Sequence, residues 1–143
     1  MVTKSRSLVR GSVLLGLVVL SGSLLLAAVD FLEPDSKAFL TGGGTGAVVT
    51  GQIRCTSGDT FSVVAILNQN VSQGSVIGTG NSDSTATCLG VLQTFVIPVS
   101  VLFPADGTFK KGPASLTLQA QSCDPITFTC SDTFTVTTKT HLQ

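Results

Sequence analysis

Apolar and polar residues alternate along much of the chain beyond residue 46. Between residues 60 and 69 the apolar side chains of one parity are Phe61, Val63, Ala65 and Leu67. This period of two is typical of a β-strand that buries one face. Val64 and Ile66 add apolar residues at the opposite parity, which predicts a central strand buried on much of both faces.

Similar segments recur about every ten residues, separated by Gly, Asn, Asp and Pro, with no helical period between them. They predict about seven short strands, at residues 47–55, 60–69, 75–80, 84–88, 93–101 and 114–122, with a terminal hairpin over 127–142. This number of strands in about 100 residues favours an all-β, antiparallel sandwich. Pro98 cannot donate a backbone hydrogen bond, so its strand is predicted to be an edge or to carry a bulge there.

The N-terminal 29 residues have the pattern of an export signal. Lys4, Arg6 and Arg10 precede an uncharged stretch over residues 11–29 that is rich in Leu and Val. Its length lies between that of a cleaved signal peptide and that of a spanning anchor. Small-x-small cleavage sites occur at 21–23 and at 36–38. Both alternatives predict a secreted or extracytoplasmic protein, anchored to the membrane through residues 11–29 if cleavage does not occur.

Residues 30–46 contain five consecutive small residues at 42–46, four of them Gly. We expect this segment to be a flexible Gly-rich tether. The folded domain is then expected to occupy residues 47–143.

The exported part contains four cysteines, an even number in an oxidising compartment, which predicts two disulfides. We favour Cys123–Cys130, because the intervening Asp-Pro can fold the chain into a hairpin, and Cys55–Cys88 then follows. The alternative is a bridge between two sheets, from Cys55 to Cys123 or Cys130.

The charges exclude one class of function. Eight Lys and Arg balance eight Asp and Glu, and the exported part is mildly acidic. Nucleic-acid binding needs a basic excess that this chain lacks.

Residues suited to catalysis or metal binding are sparse. His141 is the one histidine and stands close to the end of the sequence, so a nucleophilic triad would have no other imidazole as its general base. The aspartates at 59, 83, 106, 124 and 132 each stand beside Gly, Ser or Pro, where Asp commonly caps turns. We therefore predict no catalytic residue, no metal site and no cofactor, and the four cysteines are the only site residues that we assign.

The aromatic residues are eight Phe, with no Trp and no Tyr. Most of these Phe stand at inward parity and are predicted to lie in the core. Our leading hypothesis is a non-enzymatic envelope or extracellular module that contacts an unknown protein partner. The alternative is a small-ligand carrier whose apolar cleft is lined by Phe and small residues.

The chain resembles small exported immunoglobulin-like proteins of bacteria, particularly actinobacterial ones. The resemblance covers about residues 47–140 and rests on the succession of GQIRCTSGDTFSVVAILNQ, a Cys ahead of LQTFVIPVS, FKKGPASLTLQAQS and a two-Cys hairpin. It implies an immunoglobulin-like sandwich and export, without catalytic residues. A more distant resemblance, to the apoproteins of enediyne chromoproteins, implies the carrier role, although the long Cys55–Cys88 spacing departs from their two short loops.

Overall fold

Strands make up most of the fold. A computed structural model describes residues 26–143, and within them two single-turn 3-10 helices lie at Gly42–Gly44 and Pro104–Asp106. The nine strands are β1 (Val29–Pro34), β2 (Lys37–Thr41), β3 (Gly46–Cys55), β4 (Thr60–Val71), β5 (Gly74–Asn81), β6 (Ala86–Thr87), β7 (Gln93–Val101), β8 (Gly112–Cys123) and β9 (Phe134–Leu142).

The sheet closes on itself. Its order is β3–β2–β9–β8–β4–β5–β7, and β7 returns to pair with β3, which makes a barrel of seven strands. The pairings are antiparallel except for the short parallel contact of β2 with β9. The all-β prediction is confirmed, but the sheet forms a closed barrel where the sequence predicted a sandwich of two open sheets.

The inward parity predicted for the central strand is confirmed. Val63, Ala65 and Leu67 of β4 are fully buried, and Phe61 nearly so. Val64 and Ile66 are only half-buried, since they face outward from the barrel. The interior also holds Val49, Ile53, Val76, Ile97, Phe109, Leu116, Leu118 and Leu142.

Glycines on β5 allow it to approach β7 closely enough to close the barrel. A Cβ at Gly78 would lie 2.9 Å from both the Phe109 ring and Val99 Cγ1, and one at Gly80 would collide with the Pro98 carbonyl. Only two residue pairs join β5 and β7, Gly78 with Val101 and Thr79 with Ser100. Pro98 pairs with Val48 of β3 and lies outside the two β5 pairs. Because β7 has a neighbouring strand on each side, it is not the edge strand predicted from Pro98.

Residues 30–46 are not a tether. β1 pairs with the second half of β3, and β2 with its first half. The Gly-rich run at 42–46 is a tight turn between β2 and β3, with positive φ at Gly42, Gly43 and Gly44. Glycine adopts such angles without a steric penalty, so these residues support a sharp reversal of the chain. The prediction of a flexible segment is wrong, and the folded domain does not begin at residue 47.

The boundary predicted at residue 29 also changes. Val29 is 8% exposed and is the first residue of β1, so it belongs to the barrel. The small-x-small site at 36–38 ends in Ala38, which is fully buried on β2. Cleavage there would remove β1. The site at 21–23 and most of the apolar stretch lie outside the described residues, and none of the helices within residues 26–143 is long and apolar enough to cross a membrane.

The terminal hairpin is only partly present. β9 begins at Phe134 and pairs along its whole length with β8. Residues 124–129 form a turn closed by an isolated bridge between Cys123 and Cys130, and residues 131–133 connect it to β9. The strand predicted at 84–88 is likewise reduced to Ala86 and Thr87.

Candidate interaction end of the barrel

Both disulfides lie at one end of the barrel. Cys55 ends β3, and Cys123 ends β8 opposite Thr60, the first residue of β4. The N-terminal segment reaches the same end, because the Ala28 and Thr56 backbones are joined by a hydrogen bond of 3.0 Å. We call this region, residues 26–28, 56–59, 88–92 and 123–133, the disulfide end.

The structure pairs Cys55 with Cys88, with Cα atoms 5.6 Å apart, and Cys123 with Cys130, with Cα atoms 4.0 Å apart. This is the connectivity favoured from the sequence. The two bonds indicate an oxidising, extracytoplasmic environment.

Large apolar side chains are exposed around this end. Eleven are exposed among residues 26–143, and seven of them lie at the disulfide end or at the adjoining start of β9. These seven are Leu26, Leu89, Val91, Leu92, Ile126, Phe128 and Phe134. Their concentration in one place is the kind of surface that marks an interaction site.

The first apolar loop, residues 89–92, is held on both sides. The Cys88 backbone donates to the Asp59 carbonyl at 2.7 Å and accepts from Gly58 at 2.9 Å. The Gln93 side chain accepts from the Leu89 backbone at 2.7 Å and donates to the Thr87 carbonyl at 2.9 Å. The loop therefore presents its apolar side chains from a fixed base.

The second apolar loop, residues 124–129, is organised by Asp124. Its Oδ1 accepts hydrogen bonds from the backbones of Ile126 at 2.8 Å and Thr127 at 3.2 Å. These bonds stabilise the charged form and lower the pKa of Asp124. Ile126 and Phe128 are both 85% exposed.

Phe128 has an unfavourable backbone conformation. Its φ of 57° lies in the left-handed region and is the one such angle at a non-glycine residue within 26–143. A bulky residue is strained there, and Gly or Asn would be accommodated at lower energy. The Phe128 backbone nevertheless donates to the Asp124 carbonyl at 2.9 Å. The turn therefore holds an aromatic ring in solvent at an energetic cost.

A buried carboxyl lies beneath the loops. Asp59 is 5% exposed, and Ser122 is fully buried beside it. Burial raises the pKa of Asp59, the nearby Ser122 hydroxyl partly offsets this, and the Asp124 charge raises it further. The contact falls short of a full hydrogen bond, since Asp59 Oδ2 and Ser122 Oγ both lack a well-formed partner.

The lysines of residues 26–143 share one end of the barrel. The four lysines of the described chain lie toward the end opposite the disulfides. In the strand register, Lys37 of β2 lies opposite His141 of β9, and Lys139 of β9 lies opposite Ser115 of β8. Lys110 and Lys111 precede β8 there. The disulfide end carries Asp124 and Asp132, and the nearby Arg54 is paired with Asp30 at 2.9 Å. We call the opposite region, around these four lysines, the lysine end.

A groove of about 440 Å³ lies at the lysine end between the tip of β4 and the start of β8. Gln69, Asn70, Lys110 and Lys111 line part of it. A second groove of about 350 Å³ beside it is lined by Asn68, Pro113 and Lys139, among others. Both are open to solvent and bordered by polar residues.

The other residues weighed from the sequence are dispersed. His141 is an exposed residue of β9 at the lysine end, far along the barrel from Asp59 and Asp124. Asp83 caps a turn as predicted, accepting from the Thr85 backbone at 2.9 Å and hydroxyl at 2.7 Å. Within residues 26–143, no three His, Cys, Asp or Glu side chains cluster in a way that could hold a metal ion.

The prediction that most Phe residues lie in the core is wrong. Phe61, Phe95 and Phe109 are buried, and Phe31 is half-buried, but four others are exposed: Phe39, Phe103, Phe128 and Phe134. A signal was available for Phe128, because a loop closed by cysteines only seven positions apart is too short to reach the core.

Comparisons with protein-family models, with curated proteins and with solved structures find no match to this chain.

Proposed function

We propose that this protein is a non-enzymatic module of the cell envelope or extracellular space that acts through contacts made by its disulfide end. The single observation that carries the proposal is the concentration of exposed apolar side chains on two hydrogen-bonded loops at that end. Leu89, Val91, Leu92, Ile126 and Phe128 are between 49% and 85% exposed. Exposed apolar side chains grouped at one end of a fold are typical of interaction sites.

Export is the second element of the proposal. The basic residues and the apolar segment at 11–29 together act as a signal peptide or signal anchor. Both disulfides suit the oxidising compartment outside the cytoplasmic membrane. The absence of a catalytic constellation in the described part of the chain supports a binding role, since His141 lies apart from the buried Asp59.

The immunoglobulin-like assignment belongs to the same proposal. In immunoglobulin domains the second and fifth strands share one sheet, and the third, sixth and seventh share the other. If β3 and β7 are taken as the second and fifth strands, and β4, β8 and β9 as the third, sixth and seventh, the same grouping is found. β3 pairs with β7, and β9, β8 and β4 are neighbours in that order. The grouping supports kinship with small exported immunoglobulin-like proteins, although this barrel is closed.

The proposal is tested by fractionating cells that express the full chain with a C-terminal tag. We expect the protein outside the cytoplasm, with all four cysteines protected from alkylation until a reductant is added. Cytosolic protein with free thiols would overturn the proposal. Native mass spectrometry of the purified protein adds a separate criterion, because a tightly bound small molecule would favour the carrier function instead.

A further inference from the structure

The barrel begins immediately after the apolar N-terminal segment. Ala28 is already hydrogen-bonded to Thr56, and β1 starts at Val29. If this stretch enters a bilayer, no linker remains between it and the barrel, since the stretch extends to residue 29 and β1 starts there. The disulfide end would then lie against the membrane surface, because no tether separates the two.

The loops at this end have the form needed for shallow insertion. Ile126 and Phe128 project from one loop, and Leu89, Val91 and Leu92 from the other. Interfacial binding requires apolar side chains to reach only about 5–10 Å into the boundary between headgroups and acyl chains. Burial of the Phe128 ring there would offset the strain of its left-handed backbone.

The charges select the lipid chemistry. The lysines that would attract anionic headgroups lie at the opposite end, and Asp124 and Asp132 flank the apolar loops. Docking by this end must therefore be driven by apolar burial and must not depend on anionic lipid.

We infer that the disulfide end docks onto the interfacial layer of a lipid bilayer, inserting residues 89–92 and the side chains of Ile126 and Phe128. This inference deepens the proposed function and rests on its envelope location. It makes the membrane surface the first contact of the module, and it fixes the orientation of the barrel with the lysine end outward.

The composition of the chain supplies a clean test. Because the protein contains no Trp and no Tyr, one introduced Trp dominates its fluorescence. Full-length F128W and I126W are reconstituted into phosphatidylcholine vesicles, with and without brominated acyl chains. Phe103 is also an exposed aromatic, at 61%, but it lies at the lysine end, so F103W is the matched control.

We expect brominated lipid to quench about half or more of the F128W and I126W emission and to shift it to shorter wavelength, with little effect on F103W. Replacing part of the phosphatidylcholine by phosphatidylserine should not strengthen the quenching. Equal quenching of F128W and F103W would overturn the inference.

Other occupants give different results. A blue shift of F128W without lipid quenching would mean that the N-terminal segment or a second copy covers the end, and dependence on protein concentration would identify the second copy. Stronger quenching of F103W that requires phosphatidylserine would make the lysine end the docking face. A protein found in the cytosol would refute the proposed function, whereas absence of quenching in vesicles refutes the docking inference alone.

Discussion

The side-chain amide of Gln69 pairs with the backbone of Lys110 through two reciprocal hydrogen bonds. Gln69 Nε2 donates to the Lys110 carbonyl at 2.7 Å, and the Lys110 N–H donates to Gln69 Oε1 at 2.8 Å. Gln69 is 3% exposed at an inward position of β4. A side chain thus joins β4 to the segment that leads into β8, where no backbone pairing exists.

Replacing Gln69 by Ala should lower the free energy of unfolding by about 2 kcal/mol, since it leaves a partly buried donor and acceptor without partners. Urea denaturation measures the change. Gln119→Ala is the control, because Gln119 is an exposed residue of β8, and its effect should stay within about 0.5 kcal/mol. Equal losses in the two variants would contradict a structural role for this pair.

The two disulfides should contribute unequally. Cys55 and Cys88 are separated by 33 positions and are 3% and 1% exposed, whereas Cys123 and Cys130 are separated by seven. On loop entropy alone, replacing the first pair by Ala costs about 1 kcal/mol more than replacing the second. Loss of buried sulfur atoms increases the difference. Chemical denaturation of the two double variants tests the order, and peptide mapping without reductant tests the pairing.

Asp59 and Asp83 should have opposite effects on the pH dependence of stability. Folding raises the pKa of Asp59 through burial, so its ionisation destabilises the fold as the pH rises through the folded pKa. Hydrogen bonds from Thr85 lower the pKa of Asp83, so its contribution is present above about pH 4 and is lost below that.

Asp59→Asn should therefore raise the free energy of unfolding at pH 7, with the gain disappearing near pH 3, and Asp83→Asn should lower it over the same range. Urea titrations at a series of pH values measure both changes. A loss of stability in Asp59→Asn at pH 7 would show that the charged carboxyl has a favourable partner.

Phe128→Gly should separate stability from membrane docking. Glycine relieves the strain at a φ of 57°, so we expect the barrel to gain about 0.5–1 kcal/mol or to lose nothing. The same change should reduce the lipid quenching of the I126W probe, since insertion of one aromatic side chain is worth about a factor of ten. A large loss of stability would mean that the Phe128 ring packs against the barrel.

Truncation tests whether β1 is part of the fold. A chain that starts at Leu26 should unfold cooperatively, whereas one that starts at Ser36 loses the buried Val29 and Leu32 side chains, worth about 3–6 kcal/mol together. Thermal unfolding followed by circular dichroism distinguishes them. Mass analysis of the exported protein should place its first residue before Ala28. Similar stability of the two chains would instead mean that the residues before Ser36 are a flexible segment that the fold does not need.

Local sequence pattern determined much of the barrel wall. Alternation in β4, β7 and β8 sets which side chains face inward, because successive side chains of a strand point to opposite faces. The short Cys123–Cys130 spacing favoured the observed disulfide pairing, since a short loop closes readily within one turn, but the structure was needed to exclude a bridge from Cys55 to Cys123 or Cys130. The lack of a basic excess also follows from the charge count, and the order of basic and apolar residues at the N-terminus predicts export.

Tertiary structure decided the ends of the sheet and the candidate site. β1 and β2 have too few residues and too little alternation to be distinguished from a linker, and they become strands only because β3 and β9 offer them unpaired backbone groups. The parallel contact of Lys37 with His141 joins residues far apart in sequence, so no local pattern records it. Phe128 and Leu89 lie at the same end because strand register brings their loops there, and register is fixed only when the barrel closes.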